Sequence, residues 1–188
     1  PLPYNPIDTL WTDKPVSDTE RAVFLPEQYT GLDSTAKIAE ITSALGMDQD
    51  DALVFSSPES IAWLLNVRGR DIPYVPIVQS FAVLYKTGTV DWFVDPAKIT
   101  DYLRSQLSTL VEIKSPELLG VILDALGIQK ARVQLDMALS PAWIYERLSA
   151  AGATVHAKED PCLIRKACKN ITERDGAVNA HIKDGIAM

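Results

Sequence analysis

The chain has 188 residues, a formal net charge of −7, 47% hydrophobic residues and 23% charged residues. That balance fits a globular domain that buries about 70% of its unfolded surface without a disulfide or metal staple. The acidic charge, spread along the chain, argues against nucleic acid as a partner, and no apolar run reaches the ~18 residues of a membrane span.

Residues 1–32 are rich in Pro, Asp and Thr and lack periodicity, so they read as an extended lead-in pinned by Trp11 and Val23-Phe24-Leu25. Asp33 or Ser34 can cap a helix carrying Ile38, Ile41 and Leu45 at helical spacing, with Gly46 to end it. The run DALVFS at 51–56 reads as a buried strand. Ser57-Pro58 then opens a helix whose Ile61, Trp63, Leu64 and Leu65 make it apolar on most sides. Asn66 to Pro76 is a loop in which Gly69 permits a positive φ and two prolines hold their predecessors extended.

A strand is expected from Ile77 to Tyr85, turned at Lys86-Thr87-Gly88 and returned from Val90 to Val94 as a hairpin. Asp95-Pro96 opens a helix to about Gln106. A regular rhythm follows. Strands at Leu110–Ile113, Arg132–Leu135 and Thr154–His156 alternate with helices from Ser115-Pro116 to Gly127 and from Ser140-Pro141 to about Gly152. Such alternation implies βαβ units, and the hairpin adds an antiparallel part. The fold class expected is therefore α/β, with a mixed, mostly parallel sheet of about five or six strands flanked by helices.

Residues 160–169 read as a connector, and 171–188 as a helix with Val178 and Ile182 turned inward. Pro1 stands where a starting Met would be, and Met188 falls inside a helical pattern without a capping glycine. Both ends are expected to be cuts in a longer polypeptide. Three parts are expected: a lead-in at 1–32, a central domain at 33–160, and a linker with the first helix of another domain at 161–188.

Hydrolytic and nucleotide-binding signatures such as GxSxG, HExxH, GxGxxG and the Walker A loop are missing. Two histidines cannot build a three-histidine metal site. His181 and Asp184 share a helix face but lack a third ligand, and His156 reads as structural. The pair Asp50-Asp51 reads as a turn, and Asp136 sits at a strand's carboxyl edge, where α/β sites tend to lie. Cys162 and Cys168 match neither a zinc pair nor a redox CxxC, so they read as free thiols in a reducing, cytoplasmic setting.

Arg68 is the stronger candidate. A guanidinium presents a rigid fork suited to a carboxylate or a peptide carbonyl. Here it projects from a loop braced by an apolar helix and two prolines, which suits a binding group. Alternatively it pairs with Asp71 or a nearby carbonyl and only holds the loop. Asn66 is likewise either a cleft residue or a turn-maker.

The run WLLNVRGRDIPYVPI at 63–77 resembles the middle-domain signature of the long, three-domain Xaa-Pro aminopeptidases of the creatinase/prolidase superfamily. NPIDTLWTDKP at 5–15, IRKACKN at 164–170 and AHIKDG at 180–185 are similar to that family's flanking segments, in the same order. The resemblance implies a parent metalloaminopeptidase that removes an N-terminal residue preceding proline. Its dinuclear manganese or zinc centre would sit on a C-terminal catalytic domain, and the parent would be a homodimer. None of the family's metal ligands can be placed here, so no catalytic residue and no cofactor are expected in this chain. Arg68 and Asn66 would face the substrate cleft. The competing reading is a creatinase-fold interaction module without catalysis.

Overall fold

The computed structural model describes residues 6–13, 20–47 and 49–188. A short helix α1 (Pro6–Leu10) stands where an extended lead-in was expected, and Trp11 after it is half exposed. Strand β1 (Val23–Phe24) and helix α2 (Glu27–Thr30) follow. Gly31, at φ +67°, ends α2, with its amide on the Glu27 carbonyl. Asp33 caps α3 (Ser34–Met47): its Oδ1 accepts from the Ala36 amide at 2.8 Å. Strand β2 (Ala52–Phe55) then leads into α4 (Pro58–Leu64) and the two-residue strand β3 (Val67–Arg68).

The hairpin forms as expected between β4 (Phe81–Tyr85) and β5 (Val90–Phe93), with Gly88 at φ +85° in the turn. The first of these strands is shorter than its β-rich sequence suggests. Residues 77–80 are instead tied into the preceding loop, as when the Ile77 carbonyl accepts from the Asp71 amide. The helix expected from Asp95 to Gln106 is two pieces. Asp95 caps a 3₁₀ turn (Pro96–Lys98), and Thr100 caps α5 (Asp101–Gln106) through a bond from the Leu103 amide. After β6 (Val111–Lys114) a second 3₁₀ turn (Pro116–Leu118) runs into α6 (Leu119–Ile128). Strand β7 (Arg132–Leu135), α7 (Ala142–Ala151) and β8 (Thr154–Ala157) complete the rhythm, with Gly152 at φ +104° closing α7. The expected connector holds a helix of its own, α8 (Cys162–Ala167), before α9 (Ile171–Ala187).

The six-stranded sheet runs β6-β5-β4-β2-β7-β8. The β5–β6, β2–β7 and β7–β8 pairs are parallel; β4 runs antiparallel to β2 and β5. Period-two alternation sends each strand's side chains to two cores. Leu53, Phe55, Leu84 and Trp92 join Ile38, Ile41, Ile61 and Leu64 on the face covered by α3 and α4. Ala52, Val54, Val83 and Phe93 join Leu123, Leu126, Ile144 and Leu148 on the face covered by α6 and α7. Helices on both faces are the requirement of a largely parallel sheet.

A small second layer lies outside this frame. Strands β1 and β3 pair antiparallel, Val23 opposite Arg68 and Phe24 opposite Val67. This ribbon carries the loop that follows α4.

Candidate functional site

Helix α4 is buried along Ser60–Leu64, which forces the chain to leave it sharply. Asn66 makes the exit at φ +54°, a left-handed conformation that asparagine tolerates better than branched residues. Its amide is consumed inside the fold. Oδ1 accepts from Lys37 Nζ at 2.7 Å, and Nδ2 donates to the Leu32 carbonyl at 2.9 Å and to Thr30 Oγ1 at 3.3 Å. Asn66 is thus a buried turn-maker lying behind the loop surface.

Sequence reasoning misses Lys37, although 37, 41 and 45 share a helix face with the apolar stripe. It is 1% exposed, and Nζ also donates to the Trp63 carbonyl at 3.0 Å while lying 4.5 Å from the Trp63 ring. Burial lowers its ammonium to about 8; the Arg68 charge adds to that shift, and Glu173 opposes it.

Arg68 is half-buried on β3. Nη1 donates to the carbonyls of Ala62 and Val67, both at 2.8 Å. Nε and Nη2 have no hydrogen-bond partner among the described residues. The guanidinium is therefore held by one nitrogen and open on the other edge. Burial lowers its pKa, with Glu173 acting against that. The pairing with Asp71 considered from sequence does not form. Asp71 is taken by Lys98 at 2.6 Å, a pair with side chains 8% and 3% exposed, and by the Gln79 amide at 2.6 Å.

Gly69 is needed for space rather than for a positive φ. A Cβ there would lie 2.6 Å from the Ile77 carbonyl oxygen and 2.7 Å from Val78 Cγ2. A second left-handed residue of the loop, after Asn66, is Tyr74, at φ +67°, in the turn Ile72-Pro73-Tyr74-Val75 closed by the Val75 amide on the Ile72 carbonyl. Its side chain is fully exposed. The loop borders an open cleft of ≈ 990 Å³, whose walls include Arg21, Val23, Arg68, Arg70, Pro73 and Tyr74. Arg68 lines this cleft and Asn66 does not. A volume near 1,000 Å³ lies at the upper end of the range for small-ligand sites.

The other polar candidates are bonded within the fold. Asp50, its side chain fully buried, sits 2.6 Å from Arg132 Nε and 2.8 Å from His156 Nδ1. Asp51 accepts from the Arg132 amide at 2.9 Å. Asp136 accepts from the amides of Ala138, Leu139 and Asp160, which makes it a loop cap at the strand edge. His181 lies on the outer face of α9 with Nδ1 2.8 Å from the Ala177 carbonyl. Cys162 is buried and Cys168 exposed, both as free thiols. Among the described residues no group of three or more His, Cys, Asp or Glu side chains is placed to hold a metal ion.

The described residues thus form a mixed sheet covered by helices on both faces, with a braced loop bordering a cleft. Residues 13–173 match the Creatinase/Prolidase N-terminal domain family model, and the chain belongs to that family. It is 32% identical over 193 residues to a probable Xaa-Pro aminopeptidase P of Aspergillus niger, covering 98% of this chain and 31% of the relative. It is 34% identical over 165 residues to Xaa-Pro aminopeptidase 1 of Dictyostelium discoideum, covering 88% of this chain and 26% of the relative. The chain therefore spans less than a third of these relatives' length. Among solved structures, an X-prolyl aminopeptidase from Caenorhabditis elegans, described as a cytosolic enzyme with a di-nuclear active site, superposes with a TM-score of 0.88 at 26% identity, over 97% of this chain and 30% of that one. An Xaa-Pro aminopeptidase from Streptococcus thermophilus shares the fold at a TM-score of 0.50 and 16% identity, over 67% of this chain and 92% of that one.

Proposed function

We propose that this chain is the non-catalytic middle domain of a metalloaminopeptidase that removes an N-terminal residue preceding proline. In this reading it packs on a C-terminal catalytic domain of the same polypeptide and forms part of the wall of its substrate cleft. Arg68 is the cleft-facing group, and Asn66 braces the loop from behind. The metal chemistry would belong to the catalytic domain, where a dinuclear manganese or zinc centre would supply Lewis-acid polarisation of the carbonyl and a more acidic water. The described residues of this chain do not fit such a centre, so no catalytic step is assigned to them. The parent is read as a cytoplasmic homodimer acting on short peptides with proline second.

The observation that carries this reading is the half-open guanidinium of Arg68. A buried arginine whose role was only structural would spend both edges on the fold. Arg68 spends one nitrogen on two carbonyls and turns the rest toward the open cleft. A cleft wall of this kind also limits access to unfolded peptides and sheds water from the site.

The test is Arg68→Ala in the full-length enzyme. We expect kcat/KM on an Xaa-Pro peptide to fall about tenfold or more, the cost of one charge-assisted contact. The melting temperature should drop by only a few degrees, for the two lost carbonyl bonds. Unchanged kcat/KM would remove Arg68 from the cleft, whatever the effect on melting.

A further inference from the structure

The first turn of α9 is tied to the loop that carries Arg68. Asn170 caps this helix: its Oδ1 accepts from the Glu173 amide at 2.9 Å, and the Glu173 side chain accepts from the Asn170 amide at 3.0 Å. One side-chain oxygen suffices for that cap, and serine or aspartate would supply it as well as asparagine. The other half of the Asn170 amide makes a bond that the cap does not require. Nδ2 donates at 2.7 Å to the Thr30 carbonyl, 140 positions away in the chain.

The end of α2 is shaped to receive this contact. A Cβ on Gly31 would lie 2.6 Å from Asn170 Oδ1 and 2.9 Å from both Asn170 Nδ2 and Thr172 Cβ, so α9 begins against bare backbone. Thr30 is buried; its Oγ1 accepts from Asn66 Nδ2 and donates to the Leu32 carbonyl. Asn66, also buried, makes the left-handed exit from α4, and its carbonyl accepts from the Leu25 amide just past β1. Arg68 lies two residues further on. Its Nη1 is held by the carbonyls of Ala62 and Val67, which flank that exit. The direction of the exit therefore sets where the open edge of the guanidinium points. Within α9, Thr172 and Glu173 are half-buried and residues 174–187 are exposed, so the helix meets the fold at its start.

We propose that Asn170 is a positioning residue for Arg68: through Thr30 and Asn66 it fixes the turn out of α4 to the first turn of α9, and so sets where the guanidinium stands in the cleft. The inference rests on the cleft-wall reading above and adds to it the link by which the placement of α9 reaches the cleft. Each step of that link is a hydrogen bond between groups far apart in sequence, made to a buried partner where water does not compete. The cap and the tether are separable, because they use different atoms of one side chain.

The experiment uses the full-length enzyme and an Xaa-Pro peptide. Asn170→Asp and Asn170→Ser both keep an oxygen for the cap, and neither places a donor where Nδ2 stands. The two differ in charge, so an effect they share belongs to the lost bond. We expect kcat/KM to fall about fivefold in each, as for a remote change that misplaces a binding group. The melting temperature should drop by a few degrees at most. In an Arg68→Ala background neither substitution should lower kcat/KM further, because the group that Asn170 positions is gone, while the change in melting temperature should recur. An asparagine with a purely structural role would give the same fold-change in both backgrounds, and that result overturns the inference. So does an unchanged kcat/KM with Arg68 intact. In either case a loss of activity from Arg68→Ala alone leaves the cleft-wall reading standing. If Arg68→Ala itself leaves kcat/KM unchanged, both are overturned.

Discussion

Lys37 is nearly inaccessible, yet no carboxylate among the described residues is bonded to it; its partners are an amide oxygen, a carbonyl and the Trp63 ring. A cation in such a site is disfavoured by lost hydration, which is why its pKa drops to about 8 from the ordinary 10.5. Between those two values the unfolded chain binds more protons than the folded one, so stability rises with pH across the window. Below about pH 8 both states hold the proton and the penalty is constant. Urea denaturation at pH 7, 8, 9 and 10 should show this gain, at most about 3 kcal/mol, in the parent. Lys37→Met should lose that component, so the difference between the two proteins should vary with pH in this window. Parallel curves would sink the idea. That Asn66 makes the turn was legible from its type only as one of two readings, the other being a cleft residue. That it also holds the buried lysine was not, because the two residues lie 29 positions apart and meet only through the packing of α3 on α4.

At the scale of the loop and helices, the two glycines Gly69 and Gly176 give opposite expectations. Gly69 has backbone where a Cβ would go, at 2.6 Å from the Ile77 oxygen. Gly69→Ala should destabilise by about 1–3 kcal/mol, read as a lower urea midpoint, since a peptide carbonyl cannot move aside as a flexible side chain can. Gly176 lies inside α9, and a Cβ added there would meet nothing within 4 Å. There Gly176→Ala should raise stability by about 0.5–1 kcal/mol, through helix propensity alone. Equal effects at both positions would contradict the packing described. The elements themselves were largely readable, because Ser, Thr, Asp and Pro punctuate the helices and β-rich runs mark the strands. Where the reading failed, tertiary bonds overrode local preference. Residues 77–80 look like strand but bond back to the 66–76 loop, and the helix expected from Asp95 breaks at Ile99, the 3₁₀ turn before it carrying Lys98 to buried Asp71.

Across the molecule, one chain of polar contacts links the cleft loop to the last helix. Asn66 bonds Thr30 and Leu32, and Asn170 Nδ2 donates to the Thr30 carbonyl at 2.7 Å. Asn170 also caps α9 with Glu173 as a reciprocal capping box, a pattern visible in Asn170-x-x-Glu173 once sought. The start of α9 is thus bolted beside the loop, while its length stands free. Ile171, Val178, Ile182 and Ile186 form one apolar stripe, all more than half exposed, so the inward orientation expected for Val178 and Ile182 is not met within this chain. In the function proposed above, this stripe would be a face of the chain that packs on the catalytic domain. The joint substitution Val178→Asp and Ile182→Asp should then leave the melting temperature of the 188-residue chain nearly unchanged, as for surface sites. In the full-length enzyme it should lower the melting temperature by several degrees. A similar effect in both proteins would argue against docking.

By itself the sequence determined the α/β class, the hairpin, the βα rhythm and, through four ordered runs, the family resemblance. These depend on local chemistry: caps, turn residues and periodicity are written within a few residues of where they act. Only the tertiary structure decided that Asn66 serves the interior, that Asp71 belongs to Lys98, and that Arg21, Arg68 and Arg70 share one cleft with Tyr74. Those outcomes join residues far apart in the chain, and competition among partners for a few buried positions settles them.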